Sequence, residues 1–221
     1  TCESVFSIYN LRPVGLGLMG LQDVFFKKGY AFDSAAAKAL SRTISAHIYF
    51  HALWASTELA EVSGPHEAFE GTRAAQGKLQ FDLWTTPDGG TVTPPAELDW
   101  EALRVRIAEH GLRNSLLIAI APTATIASIV GCYECIEPQV SNLFKRETLS
   151  GEFMQINRYL VRELQARNLW DEQMISDIKR AEGSVQDVER IPGELKEVFR
   201  TAWEIPQRAL IDMAAERGGN C

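Results

Sequence analysis

Three features of the chain predict a helix-rich α/β fold. Leu116-Leu117-Ile118-Ala119-Ile120 is a continuous apolar run, as expected of a strand covered on both faces, and it leads straight into Pro122 and a hydroxyl-rich helix start. Leu40, Ile44, Ile48, Ala52, Ala55, Leu59 and Val62 recur in steps of three and four, forming one stripe of a long helix. From residue 152 onward the chain reads as helical, at about 155–167, 171–182, 193–204 and 206–217. A parallel-type strand feeding a helix, few other strands and many helices together describe α/β architecture.

The elements follow in order. Asn10 to Val14 is a short first element, followed by a glycine-rich turn and a helix of about ten residues that ends near Gly29. Asp33 or Ser34 caps the long helix, and Gly64-Pro65 closes it. Residues 64–98 carry Pro87-Asp88-Gly89-Gly90 and Pro94-Pro95 and read as a long irregular excursion, a length usually reserved for functional or inserted loops. Asp99 caps a helix with Trp100, Leu103 and Ile107 inward, closed by Gly111. The strand 116–120 is expected to be central and parallel, with residues 122–128 at its carboxyl end, where α/β ligand sites gather. Pro206 suits the first position of the last helix.

With 221 residues, 46% of them hydrophobic and 23% charged, the chain can bury a real core and is neither disordered nor fibrous. A net charge of -7 argues against a nucleic-acid binder, which carries a basic face. No apolar run reaches the length of a membrane span, and the first residues lack a signal-peptide pattern. Four cysteines are too few for a disulfide scaffold, so a reducing, cytoplasmic setting is expected.

Several constellations could carry chemistry. Gly15-Leu16-Gly17-Leu18-Met19-Gly20 matches G-x-G-x-x-G, but Asp33 precedes a helix instead of ending a second strand; a tight turn with close packing is the plainer reading. His47 and His51 are four apart on one helix with no third ligand in view, and read as partly buried core histidines. Cys132-Tyr133-Glu134-Cys135 is a C-x-x-C without a second pair, since Cys2 and Cys221 are lone residues, and a packing role is expected. At Pro122-Thr123-Ala124-Thr125-Ile126-Ala127-Ser128 a strand ends and a helix opens. Free N–H groups, the helix dipole and the hydroxyls of Thr123, Thr125 and Ser128 make an anion site, or else an ordinary helix cap; the residues alone leave both open. Glu137 would repel an anion there and reads as structural, accepting backbone hydrogen bonds or pairing with an arginine, with a catalytic role as the alternative.

These segments, in this order, resemble the ribonucleotide reductase large (α) subunit. Residues 12–23 resemble its RPxGLGxxGxxD segment, Gly111-Leu112-Arg113-Asn114-Ser115 its GxRNS lead-in and Pro122-Thr123-Ala124-Thr125-Ile126 its substrate-phosphate loop. Ile136-Glu137-Pro138 through Ser141-Asn142 resemble its IEPxxSN segment. Leu149-Ser150-Gly151-Glu152-Phe153 and Ala214-Ala215-Glu216-Arg217-Gly218 complete the series and look like the class I, metal-radical type. The resemblance covers about residues 10–218 and implies a fragment, residues 1–221, of a ten-stranded α/β barrel. It also implies radical reduction of ribonucleotides to deoxyribonucleotides, as DNA synthesis requires. In that chemistry a cysteine thiyl radical removes the 3′ hydrogen and a cysteine pair supplies the electrons.

By the same resemblance, Pro122, Thr123, Ala124, Thr125 and Ile126 bind substrate phosphate. Ile126 stands where several members have Ser or Thr, so it offers only its backbone N–H. The Asn-Leu-Cys-x-Glu motif of the radical cysteine is not in this sequence, and neither are the tyrosine pair, the allosteric domain nor the cysteine tail. The resemblance therefore implies an internal or split piece, without catalytic residues of its own and inactive alone. A complementary α polypeptide would complete it, and a small β subunit would hold the metal-radical cofactor; no metal, DNA or membrane binding is expected of this chain. The alternative is a phosphate-binding or regulatory module that kept the anion site without the chemistry.

Overall fold

The computed structural model describes residues 2–86, 89–90, 92–148 and 151–218. Pro87 and Asp88 of the expected turn, Leu149 and Ser150, and Cys221 lie outside the described residues. The chain divides into two compact units: Thr1–Leu18, Ala39–Pro122 and Asp212–Cys221 form the first, Met19–Lys38 and Thr123–Ile211 the second.

In the first unit, α1 (Cys2–Leu11) precedes most of α3 (Ala35–Ser63) and α4 (Trp100–His110). The bounds of α3 are those its ends predict: Ser34 Oγ accepts from Ala37 N, and Gly64 N donates to Ala60 O. Its period is as read, but its buried face is not. Ala46, Phe50, Leu53, Ser56, Thr57 and Ala60 are buried, whereas Leu59 and Val62 of the predicted stripe are exposed. Small and hydroxylated residues line the covered side because they let neighbours approach closely, and hydropathy alone does not register that. Thr57 Oγ1, for instance, satisfies itself by donating to Trp54 O at 2.7 Å. Asp99 caps α4 as predicted, accepting from Ala102 N at 2.9 Å. Residues 64–98 are irregular, with 3-10 turns at Phe69–Gly71 and Gln80–Leu83. Their Phe69, Leu79, Phe81 and Leu98 nonetheless join Phe50, Trp100 and Leu103 in one core, with the Phe81 and Trp100 rings edge-to-face at 4.9 Å.

Residues 116–119 run parallel to 14–16. Val14 N donates to Leu116 O, Leu16 N to Leu117 O and Ala119 N to Leu16 O, at 2.8 to 3.1 Å. The two glycines of this stretch answer to the contact: a Cβ on Gly15 would stand 3.0 Å from Ala119 Cβ, and one on Gly17 3.0 Å from Ala119 O. The parallel direction is as expected, but the central, doubly covered position is not. Leu116 is 64% and Ile120 54% exposed, because among the described residues this run has a strand neighbour on one side only.

The segment before it is held by its own side chains. Arg113 Nη1 donates to Ser63 O and Gly64 O at the end of α3. Asn114 accepts from Ser56 Oγ and donates to Arg12 O, at 3.1 and 2.9 Å. Arg217, on α9 (Gln207–Gly218), donates to Ser41 Oγ, and Glu216 pairs with Arg42 at 3.5 Å.

The second unit holds α2 (Leu21–Lys28), α5 (Ala124–Val130), α6 (Arg158–Ala166), α7 (Glu172–Arg180) and α8 (Gly193–Val198). Phe26, Leu160, Leu164, Met174, Ile178 and Phe199 centre its core. The helical run expected from residue 152 begins only at Arg158. Before it lies an antiparallel ribbon, β1 (Leu143–Thr148) and β2 (Gly151–Ile156), in register from Leu143↔Ile156 to Thr148↔Gly151. Phe144 and Met154 of this ribbon are exposed, so these apolar residues do not mark a buried strand face in the sequence. The third of these predicted helices also ends early, at Val198, where Phe199 turns into the core.

Three buried amides join the ribbon to its surroundings. Asn157 Nδ2 donates to Gln139 Oε1 and Asn142 Oδ1, Gln139 Nε2 to Asn142 Oδ1, and Asn142 Nδ2 to Gly183 O and Phe199 O. Asn157 Oδ1 also caps α6, accepting from Tyr159 N. A network this dry is stabilising only while every member is satisfied. Asn142→Ala strands several buried groups at once, each costing about 1–3 kcal/mol. Urea unfolding is expected to show a loss on the order of 3 kcal/mol or more. A loss under about 1 kcal/mol would show that water replaces the amide.

Candidate functional site

The site is built where the chain turns into α5. Thr123 takes the left-handed conformation, φ 58°, and the first intrahelical bond runs from Ala127 N to Thr123 O at 2.8 Å. The N–H groups of Ala124, Thr125 and Ile126 therefore stand outside the helical ladder and point along the helix start. Ala127 is buried and anchors the helix; Thr125 and Ser128 are exposed. Ala124, Thr125, Ser128, Ile129 and Glu134 line an open concavity of about 340 Å³.

Of the five residues read from sequence as the phosphate loop, Ala124 and Thr125 line this concavity. Thr123 sits at its edge in the chain and is also engaged elsewhere. Its Oγ1 accepts from Cys135 N at 2.9 Å, which leaves its hydroxyl hydrogen to donate to another partner. Pro122 and Ile126 are exposed and are not among the lining residues. Ser128 joins the lining as its hydroxyl suggested. Ile129 and Glu134 are additions that sequence reasoning missed; Glu134 was in view only as the interior of the C-x-x-C.

Glu137 departs from its expected structural role. It is exposed, and among the described residues it has no hydrogen bond or ion pair. The buried members of its segment are Ile136, Pro138, Gln139 and Asn142.

Cys132 and Cys135 are free thiols. Burial pushes the Cys132 thiol above its ordinary pKa, and the Asp23 carboxylate pushes the same way. That is the opposite of what an attacking thiolate needs. Cys135 is buried at φ 45° and acts through its backbone N–H.

Asp23, on α2, is buried and heavily engaged. Its Oδ2 accepts from Tyr133 N at 2.6 Å; its Oδ1 accepts from Tyr159 Oη at 2.8 Å and from Arg158 at 3.2 Å. Burial, foremost, and this carboxylate raise the pKa of both Tyr133 and Tyr159, so neither phenol ionises at neutral pH.

Gly20, φ 81°, opens α2, and Asp33 is ion-paired with Arg200 at 2.5 Å. Contrary to expectation, the histidine pair is not in the core: His51 is exposed and His47 only partly covered, on the open side of α3. The His47 and His51 rings stack at 6.1 Å, and His47 lies 3.9 Å from Glu97; among the described residues no three His, Cys, Asp or Glu side chains are grouped to hold a metal. Among the described residues no helix is long and apolar enough to cross a membrane.

The family model for the ribonucleotide reductase barrel domain matches residues 3–219. The ribonucleoside-diphosphate reductase large subunit of Caenorhabditis elegans is 46% identical over 207 residues, which cover 94% of this chain and 26% of that protein. The large subunit of Vaccinia virus is 44% identical over 216 residues, 98% of this chain and 27% of that protein. Among solved structures, the Actinobacillus ureae class Id ribonucleotide reductase alpha subunit superposes with a TM-score of 0.70 at 27% identity, covering 96% of this chain and 32% of that one. The chain thus spans about a quarter of the length of the curated relatives it matches. The helix-rich α/β architecture and the order of the motif segments lead to the same place: the chain belongs to the ribonucleotide reductase family, within its barrel domain.

Proposed function

We propose that this chain is the phosphate-gripping part of a ribonucleoside-diphosphate reductase large subunit of the class I type. The observation that carries the reading is the start of α5: three N–H groups outside the ladder, with the Thr125 and Ser128 hydroxyls lining one open concavity. A helix start adds roughly half a positive charge, and charge-assisted hydrogen bonds are about twice as strong as neutral ones. Substrate phosphate oxygens accept from the N–H groups of residues 124–126 and from the hydroxyls of Thr123 and Thr125. Glu134 lines the same concavity and repels phosphate, so it directs the anion toward the helix start.

The radical step belongs to other parts of the enzyme. A thiyl cysteine takes the 3′ hydrogen of the ribonucleotide and a cysteine pair supplies two electrons. Those residues lie in the remainder of the large subunit, on the same or a second polypeptide, and a small β subunit supplies the metal radical. The exposed Leu116 and Ile120 support a role beside further strands, because an apolar run with one open side invites pairing. This chain's contribution is to hold and orient the substrate at a point remote from the reacting carbon.

Two measurements on the complete reductase test this. Thr125→Val is expected to raise the substrate KM about tenfold or somewhat more, with a smaller effect on kcat, because a distant phosphate is gripped alike in ground and transition states. An unchanged KM would reduce the loop to a helix cap, and nucleotide binding without any turnover in the assembled protein would favour a non-catalytic module. Cys132→Ser and Cys135→Ser are each expected to keep most turnover. A loss of about a thousandfold, the scale set by removing an essential reacting group, would place chemistry on that thiol.

A further inference from the structure

We propose that Asp23 is the positioning residue of the phosphate loop, acting through the backbone of Tyr133; the proposal rests on the reading that residues 123–126 grip substrate phosphate.

The segment after α5 is fastened at every step. Gly131 N and Cys132 N both donate to Ala127 O, at 2.8 and 3.1 Å, which folds the chain back against the helix. Tyr133 is then held on both backbone groups by the first turn of α2. Gly20 N donates to Tyr133 O at 2.9 Å, and Asp23 Oδ2 accepts from Tyr133 N at 2.6 Å. Two residues later Cys135 N donates to Thr123 Oγ1 at 2.9 Å. The start of α5, the helix itself and residues 131–135 form a closed ring, and Asp23 with Gly20 latches that ring to α2.

Two backbone outliers lie on the ring. Thr123 at φ 58° and Cys135 at φ 45° are non-glycine residues in the left-handed region, a conformation that persists only where the surroundings hold it. The bond between them sets the hydroxyl of Thr123 and the direction of the free N–H groups behind it. Glu134, between the two fastened residues, is thereby brought into the lining of the concavity. Tyr159 Oη, donating to Asp23 Oδ1 at 2.8 Å, fixes the carboxylate and so the direction in which Oδ2 meets Tyr133 N; the largely exposed Arg158 adds only a screened contact.

The test uses the complete reductase and reads substrate KM against kcat. Asp23→Ala is expected to raise KM by about tenfold or more with a smaller change in kcat, as a loop displaced by a fraction of an ångström loses its grip. Asp23→Asn keeps a carbonyl oxygen for Tyr133 N and is expected to restore KM to within about twofold of the parent. Arg158→Gln removes an outer partner without touching Tyr133 N, and is expected to leave KM unchanged. If Asp23→Ala does not fold, Asp23→Glu, which carries the carboxylate one methylene too far, is expected to raise KM severalfold. An unchanged KM in Asp23→Ala or Asp23→Glu, or an Asp23→Asn variant as impaired as Asp23→Ala, overturns the proposal. Thr125→Val separates the two levels. If it raises KM while the Asp23 variants do not, positioning alone fails; if it does not, the phosphate reading fails and this proposal with it.

Discussion

A carboxylate taken out of water must have its lone pairs filled, and around Asp23 that requirement organises much of the second unit. Removing one partner of a buried ion costs more than the bond itself, because the ion stays behind unsatisfied. Asp23 meets the demand with three donors drawn from two distant stretches of chain: the Tyr133 backbone, and the Tyr159 hydroxyl and Arg158 guanidinium at the start of α6. The last of these partners is largely solvent-exposed, so its ion pair is screened and its contribution modest. The Tyr133 and Tyr159 bonds are the well-shielded ones. They tie the helix after the glycine-rich turn to the return from α5 and to the start of α6, beside the stacked rings of Phe26 and Phe199.

Most of the motif segments fasten one part of the chain to another. Arg113 closes the carboxyl end of α3, Asn114 bridges Ser56 and Arg12, and Arg217 reaches Ser41 on α3. Gln139, Asn142 and Asn157 form one buried amide cluster that anchors the open end of the β1–β2 ribbon, where β1 begins and β2 ends. Polar side chains suit this work because they can reach several backbone carbonyls at once, which apolar packing cannot specify. The start of α5 leaves three backbone N–H groups outside the helical ladder beside an open concavity, and that makes it the candidate binding element.

The C-x-x-C illustrates how context decides chemistry. Its spacing is compatible with redox or metal work, but Cys132 is pushed toward the thiol form and Cys135 contributes a backbone N–H to Thr123. The pair belongs to the ring that shapes the loop.

Local sequence was enough to define the helices with strong ends: Ser34 and Gly64 around α3, Asp99 and Gly111 around α4, Gly20 and Gly29 around α2. Caps are local chemistry, readable within a few residues. Sequence also marked the loop at Pro122 to Ile126 and, through six segments in order, the family. The folded chain settled what local pattern does not encode. Which face of α3 is covered depends on neighbours far along the chain, and the small residues there carry little hydropathy signal. The β1–β2 ribbon is held by amides and by the pairing of its two strands, and its Phe144 and Met154 are exposed, so those apolar residues mark no buried face. The cover on residues 116–120 depends on how many strands pair with it, since a run of five apolar residues states only that it suits burial. The places of Glu134 and Asp23 escape local pattern for the same reason: one lines the concavity through the fold of the return, the other is bound to Tyr133 across 110 positions of sequence, and no spacing rule reaches that far.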